Sequence, residues 1–220
     1  MKEIKNKELI EKLINKSDFK SQFSYDISSC IRAYEYKSNE WIIRQDDPNE
    51  YLYFLVRGRV KLYLLLEDGK HSLLNYLSAP CFIGEVELFT NSTNTGGVKA
   101  FTDCVCFKIA LKDIKEVLEK DVLFYKNLGK YLTEKYIASQ RTYLKSINYP
   151  LKNRLAAFIL LAERDGYYKE KHTEVAEFLG VSYRHLLYTI DELIRDKILE
   201  RQGRYLKILD RERINGLAKY

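Results

Sequence analysis

The feature that most constrains this chain is an abrupt change of pattern near residue 109. Between residues 31 and 109, short runs of β-branched and aromatic residues alternate with turn-forming residues. Between residues 110 and 149, apolar residues recur at helical intervals, with no proline and one glycine. Strands and helices place side chains on one face with different periods, so the chain is predicted to contain a β unit followed by helices.

The β unit is predicted to be an antiparallel sandwich or barrel. Turn residues at 46–49 and 57–58 separate its apolar runs, as expected for short consecutive strands. Before it, residues 2–28 mix apolar and charged residues at helical intervals and predict a short peripheral helix. The predicted strands are 31–36, 41–43, 51–56, 60–66, 73–77, 81–83 and 105–109.

The stretch 110–149 is predicted to form a long helix with one apolar face. Such a face must be buried, either against the β unit or against a second copy of the helix. We therefore expect a homodimer, with docking inside one chain as the alternative. The residues assigned to this dimer helix are Phe124, Leu128, Leu132, Ile137 and Leu144.

The segment 172–197 predicts a helix-turn-helix. Pro150 ends the long helix and begins another, so residues 148–150 form a candidate hinge. Gly180 can adopt the left-handed backbone that a tight turn between helices requires, and Ala176 permits their close approach. Ser182 is suited to cap the second helix. Residues 198–208 then predict a β-hairpin wing.

The outer face of the second helix predicts DNA binding. Its N-terminal end is the part that a recognition helix inserts into the major groove, where Arg184 can donate two hydrogen bonds to guanine. A helical hairpin with a solvated polar face, or one that docks protein, is the alternative. The candidate DNA-binding residues are Thr173, Ser182, Tyr183, Arg184, His185, Tyr188, Arg201 and Arg204.

Composition is compatible with these predictions. The net charge is +6, half of it in the smaller part after residue 149, which permits nucleic-acid binding. The charged opening stretch has no apolar centre, and the longest apolar run, 155–162, is too short for a membrane span. We expect a cytoplasmic protein that does not insert into a membrane.

No metal, cofactor or catalytic motif is predicted. Of three histidines, one (His71) lies in the β unit, which argues against the metal centre of an enzymatic cupin-like β-roll. The four cysteines are expected to be buried and reduced, with a redox-responsive thiol switch as the alternative. They are Cys30, Cys81, Cys104 and Cys106.

Four blocks of sequence resemble the CRP/FNR superfamily of bacterial transcription regulators, and more closely its YeiL-like branch. The blocks are 55–60, 79–88, 150–161 and 170–188, in the same order. The resemblance implies an α+β chain with a cyclic-nucleotide-binding-like jelly roll (1–118), a dimerisation helix (119–148) and a winged helix-turn-helix (149–220). It also implies a two-fold symmetric operator on double-stranded DNA and a contact with RNA polymerase.

The candidate effector pocket departs from the family pattern. Cyclic-nucleotide binders of this family have a Gly-Glu pair and a later Arg-Ser or Arg-Thr, whose arginine neutralises the cyclic phosphate. Here Gly84 and Glu85 are present, but the second pair is Asn94-Thr95. An uncharged amide cannot replace a charge-assisted contact to phosphate, so neither cAMP nor cGMP is expected to bind.

Two further departures concern the signal and the operator. The iron-sulfur regulators of the family have a group of N-terminal cysteines, whereas Cys30 alone lies near this N-terminus, so no cluster is expected. Many relatives carry Glu and, four residues later, Arg on the recognition helix, where this chain has Arg184 and Tyr188. Its operator is therefore expected to differ from the common one.

Overall fold

The computed structural model describes residues 1–67, 69–90 and 92–219. The chain forms two compact units, 1–134 and 135–220. One long helix begins in the first unit and ends in the second. Tyr220, the last residue of the predicted DNA-binding domain, lies outside the described residues.

The first unit is a roll of two antiparallel sheets. Within the described residues, one sheet has the order β1-β2-β9-β4-β7 and the other the order β3-β8-β5-β6. The strands are β1 (Lys2–Ile4), β2 (Ile31–Tyr36), β3 (Trp41–Ile43), β4 (Tyr51–Arg57), β5 (Arg59–Leu65), β6 (His71–Ser78), β7 (Cys81–Ile83), β8 (Gly97–Ala100) and β9 (Cys104–Ala110).

The predicted strands agree closely with these bounds, but two strands were not predicted. β1 pairs with β2 at the edge of its sheet. β8 begins at Gly97, the last residue of the stretch 91–97, whose Asn, Ser, Thr and Gly residues predict a turn; its first residue, Asn91, lies outside the described residues. Both strands are only three or four residues long, so neither shows a clear alternation of apolar and polar residues.

Three helices cover the outer face of the five-stranded sheet: α1 (Lys7–Lys16), α3 (Leu111–Lys120) and the first part of α4 (Val122–Asn148). A short helix, α2 (Glu87–Thr90), follows β7. Phe23 stacks on Phe124 with ring centroids 5.2 Å apart, and Leu128 belongs to the same core. The predicted N-terminal helix is confirmed, although the segment after it contributes to this core.

The prediction of one continuous helix over 110–149 is wrong, because the chain breaks at Asp121. The Asp121 carboxylate accepts hydrogen bonds from the Phe124 amide at 2.9 Å and the Ser24 amide at 2.7 Å. Burial alone would raise the pKa of Asp121, but these amide donors outweigh it and lower the pKa. Asp121 thus caps α4 and ties it to the N-terminal segment.

The apolar face of α4 is divided between two environments. Phe124 and Leu128 are fully buried in the roll, and Leu132 packs partly against the same core. Ile137 and Leu144 are exposed, by 44% and 54%. The assignment of Phe124 and Leu128 to a dimer surface therefore needs correction, because the roll already covers both side chains.

The second unit contains a three-stranded sheet and four helices besides the end of α4, counted over its described part. The sheet order is β10-β12-β11, with all neighbours antiparallel. The elements are α5 (Leu151–Ala162), β10 (Tyr167–Tyr168), α6 (His172–Phe178), α7 (Tyr183–Arg195), β11 (Leu199–Gln202), β12 (Tyr205–Ile208) and α8 (Arg211–Ala218). The α+β class predicted from the sequence is confirmed. In the part of the chain that the structure describes, no helix is long and apolar enough to cross a membrane.

Candidate DNA interface and effector pocket

Helices α6 and α7 are joined by a tight turn at Gly180. Gly180 has a φ of 63°, in the left-handed region that favours glycine. The Val181 amide donates to the Ala176 carbonyl at 2.9 Å, and Ala176 is buried where the helices meet. The structure confirms the predicted left-handed turn at Gly180; that Ala176 permits the helices to approach closely stays a prediction.

The N-terminal end of α7 is capped by Ser182. Its hydroxyl accepts a hydrogen bond from the His185 amide at 3.2 Å, as predicted. The first amide groups of a helix have no partner inside the helix, and together with the helix dipole they favour an anion such as a phosphate. The exposed end of α7 is therefore suited to contact a DNA backbone.

The polar and aromatic residues predicted on the outer face of α7 are brought together there. Leu186, Ile190 and Leu193 are buried on the opposite face and hold the helix in place. The exposed fractions of Tyr183 and Tyr188 are 49% and 62%. The exposed residues on the outer face are Tyr183, Arg184, His185 and Tyr188.

The wing is the hairpin of β11 and β12. Gly203, with a φ of 62°, and Arg204 form its two-residue turn, so Arg204 lies exposed at the tip. Arg201 is placed differently, because its guanidinium pairs with Asp191 of α7 at 3.1 Å. Thr173 is exposed in the first turn of α6. The Arg201 guanidinium thus lies against α7.

Sequence reasoning missed the cation–aromatic contacts of this unit, of which two bear on the wing and on α7. The Arg195 guanidinium lies 5.6 Å from the ring centroid of Tyr188, and the Lys169 ammonium lies 4.9 Å from that of Tyr205. Tyr188 and Arg195 are seven residues apart and therefore lie on one face of α7, two turns apart, which could have indicated the first contact. The second depends on strand pairing, which no local signal shows.

His172 is a half-buried histidine at the start of α6. Its ring stacks on Tyr168 with centroids 6.1 Å apart and an interplanar angle of 15°. Burial lowers its pKa, and the positive charge of Arg201 lowers it further. His172 therefore contributes to packing as a neutral ring.

The candidate effector pocket begins at Gly84, after β7. Its φ is 78°, and a Cβ there would lie 3.2 Å from the Tyr51 carbonyl oxygen, so the chain requires glycine at this position. The neighbouring Glu85 is almost fully buried, at 2% exposed. Tyr131 of α4 lies nearby, and burial, assisted by the neighbouring Glu85 carboxylate, raises its pKa.

Asn94 and Thr95 lie beside the loop that follows β3. The Asn94 side-chain amide donates to the Arg44 carbonyl at 3.2 Å. The Thr95 amide and hydroxyl both donate to Oε1 of Glu87, at 2.7 and 2.6 Å. Glu87 is 7% exposed. Sequence reasoning missed Glu87 because nothing local indicates that it meets Thr95.

The thiols of the roll are largely inaccessible. Cys81, Cys104 and Cys106 are buried, and Cys30 is partly buried. Burial raises the pKa of Cys104 and of Cys106, which disfavours their reactive thiolate forms. His71 is exposed at the start of β6, with its ring centroid 5.3 Å from that of Trp41. Among the described residues, no group of three or more His, Cys, Asp or Glu is arranged to hold a metal ion.

Comparisons with known proteins agree with this architecture. Residues 34–121 match the cyclic nucleotide-binding domain family, and residues 153–217 match the Crp-like helix-turn-helix domain family. The regulatory protein YeiL of Escherichia coli O157:H7 is 37% identical over 93% of this chain and 94% of its own length. This chain belongs to the CRP/FNR family of transcription regulators. As a CRP/FNR regulator it carries a helix-turn-helix of a type that implies DNA binding.

Other relatives cover less of the chain or are more distant. The cAMP-activated global transcriptional regulator CRP of Salmonella typhimurium is 32% identical over 42% of this chain and 44% of its own length. A CRP/FNR-family regulator from Thermus thermophilus has a TM-score of 0.69 over 86% of this chain and 98% of its own, at 23% identity. A crp/fnr-family structure from Eubacterium rectale has a TM-score of 0.75 over 98% of this chain and 95% of its own, at 16% identity. The two structures support the fold alone.

Proposed function

We propose that this CRP/FNR regulator binds a two-fold symmetric site on double-stranded DNA as a homodimer, with α7 in the major groove. The observation that carries this proposal is the capped, exposed N-terminal end of α7 with its polar and aromatic outer face. Arg184 is assigned to a guanine edge, because its fork of donors matches the two acceptors of that base. Tyr183, His185 and Tyr188 lie on the same face and are assigned to neighbouring bases and phosphates.

The backbone contacts are assigned to residues around α7. Ser182 and the first amides of α7 are placed to meet one phosphate, and Thr173 at the start of α6 another. Arg204 at the wing tip is the exposed cation best placed for a flanking phosphate. These contacts fix the register of the protein on DNA without reading its sequence.

The homodimer is proposed to form through the second half of α4. Ile137 and Leu144 are seven residues apart on that helix and exposed, with the exposed Ile147 close by. A row of large apolar side chains with this spacing is typical of a helix that pairs with a second copy. Two recognition helices related by a two-fold axis would read half-sites about 34 Å apart.

The signal is proposed to be something other than cAMP or cGMP, or no small molecule at all. Asn94 supplies no positive charge for a phosphate, and the donors of Thr95 are already engaged. We further propose that the chain acts in the cytoplasm with RNA polymerase and without enzymatic activity of its own, in keeping with its family.

Two alternatives are retained. A thiol switch would need a reactive cysteine, and the raised pKa values of Cys104 and Cys106 disfavour those two. Cys30, which is partly buried, is the better candidate. A helix-turn-helix that docks protein would leave Arg184 without a base edge and Arg204 without a phosphate to contact.

Binding of a duplex at increasing salt tests the proposal against protein docking. A labelled duplex pool is titrated with the purified protein, without any nucleotide, and binding is followed by fluorescence anisotropy. Phosphate contacts predict that log K falls linearly with log salt, by about 0.9 for each phosphate neutralised. Absence of duplex binding at low salt would contradict the proposal.

A further inference from the structure

Two hydrogen-bond donors of Thr95 converge on one buried carboxylate oxygen. The backbone amide and the side-chain hydroxyl donate to the same Glu87 Oε1, at 2.7 and 2.6 Å. Glu87 is 7% exposed, so this carboxylate lies largely out of water. A carboxylate removed from water must be held by hydrogen-bond donors, because burial of a charge without such partners is strongly unfavourable.

The donors of Thr95 are held in place by the neighbouring loop. The Asp46 amide donates to the Asn94 carbonyl at 2.9 Å, and the Asn94 amide donates to the Asp47 carbonyl at 3.0 Å. The Asn94 side chain is also used, since it donates to the Arg44 carbonyl. Asn94 therefore fixes the backbone that carries Thr95, and its own amide nitrogens point to loop carbonyls.

We propose that the donor pair of Thr95 is an anion-binding site and that Glu87 occupies it as a built-in ligand. An incoming phosphate would have to displace the Glu87 carboxylate, losing two charge-assisted hydrogen bonds and bringing two negative groups together. The site is thereby closed to anionic ligands from solution. This inference deepens the proposal that the roll takes no cyclic nucleotide, and in that respect rests on it.

A cleft of about 460 Å³ borders Glu87, on whose carboxylate the Thr95 donors converge. The charged side chains that line it are Glu87 and, from α3, Lys112, Lys115 and Glu119. Once the Glu87 carboxylate is removed, the two lysines outnumber the one remaining carboxylate, so the lining becomes net positive and attracts small anions. Removal of the Glu87 carboxylate should therefore expose the amide and hydroxyl donors of Thr95 to anions that enter the cleft.

The inference is tested with four full-length proteins: wild type, Asn94→Arg, Glu87→Ala and the double variant. Binding of cAMP is measured by equilibrium dialysis. In Asn94→Arg, the new guanidinium is expected to pair with Glu87, so cAMP should bind weakly or not at all. The double variant, with a free donor pair and a cation, should bind cAMP on the order of tenfold or more tighter than Asn94→Arg. Equal binding by these two variants, or no binding by a folded double variant, would overturn the inference.

A second measurement avoids the new arginine. The unfolding temperature of Glu87→Ala is followed in inorganic phosphate and in chloride of equal ionic strength. It should rise in phosphate, because an anion can now bind the Thr95 donors. Wild type and Glu87→Gln should not respond, since the amide oxygen of glutamine can accept the same two hydrogen bonds. An equal unfolding temperature of Glu87→Ala in phosphate and in chloride would contradict the proposal.

DNA binding by the same proteins separates this inference from the proposed function. The dialysis experiment and the unfolding experiment both measure ligand binding to the roll, and neither requires that the operator be known. If no protein of the series binds DNA while Glu87→Ala still responds to phosphate, the proposed function fails and the built-in ligand stands. If DNA binds and the phosphate response is absent, only the inference on Glu87 is lost.

Discussion

The guanidinium of Arg201 on the wing lies 3.1 Å from the carboxylate of Asp191 on the recognition helix. Both side chains are more than half exposed, at 51% and 60%, so solvent weakens the pair. The pair nevertheless places the Arg201 guanidinium on the Asp191 carboxylate, where the guanidinium is less available to a DNA phosphate.

Substitution of Asp191 by Ala should strengthen DNA binding. It frees Arg201 for a phosphate and removes a negative charge from the DNA-facing side. The slope of log K against log salt should become steeper by about one, the value for one added phosphate contact. Glu116→Ala, which removes an exposed carboxylate from α3 of the roll, is the control and should change the slope little. Weaker binding by Asp191→Ala would show that the pair instead positions Arg201 for DNA.

Substitution of Arg184 by Ala should change which sequences are bound. The loss of a bidentate contact to guanine should cost about 1–3 kcal/mol at one base position and relax the preference there. Arg204→Ala, at the wing tip, should weaken binding of all sequences about equally. The measurement is competition binding with single-base variants of the operator. An unchanged profile for Arg184→Ala would remove Arg184 from the reading residues.

The local parts of this structure could be predicted from the sequence, because short-range chemistry determines them. Gly180 and Ser182 occupy the turn and the cap for reasons that lie within a few residues. Asp is a common helix-capping residue, so Asp121 could have indicated the break. The helical spacing of apolar residues continues on both sides of it, however, and predicts one helix. Its Ser24 partner, 97 residues away, could not be predicted at all.

The effector pocket shows the limit of prediction more clearly. The absence of Arg at position 94 was visible in the sequence, but the carboxylate that meets Thr95 was not. Glu87 lies two residues after Glu85 and looks like an ordinary polar residue of a loop. The meeting of Glu87 and Thr95 depends on tertiary packing, since eight residues separate them and the donors are oriented by the loop 44–47.

The two ends of α4 should respond differently to substitution. Phe124→Ala removes a fully buried ring from the roll and should lower the free energy of unfolding by about 3–5 kcal/mol. Leu144→Lys places a charge on the exposed apolar row and should give a monomer at micromolar concentration by sedimentation equilibrium. Ser139→Lys adds the same charge nearly opposite Ile137 around the helix and should remain dimeric. A dimeric Leu144→Lys protein would rule out this surface.

Stability should fall in mild acid because of His172. Its pKa is lowered in the folded chain, whereas the unfolded chain has the ordinary value of about 6.5. As the pH falls through that value, the unfolded state binds a proton that the folded state resists, so the free energy of unfolding decreases. Urea unfolding at pH about 7.5 and about 5.5 should show a smaller decrease for His172→Gln than for wild type. His185→Gln, at an exposed position, is the control and should behave as wild type.

The measurement that tests the central claim most directly is selection of bound sequences from a random duplex library, using the purified protein without cAMP. The account predicts enrichment of one two-fold symmetric site, with half-sites about one helical turn apart. The same site should be enriched when cAMP is added. Enrichment of an asymmetric sequence, or enrichment only in the presence of cAMP, would contradict the account.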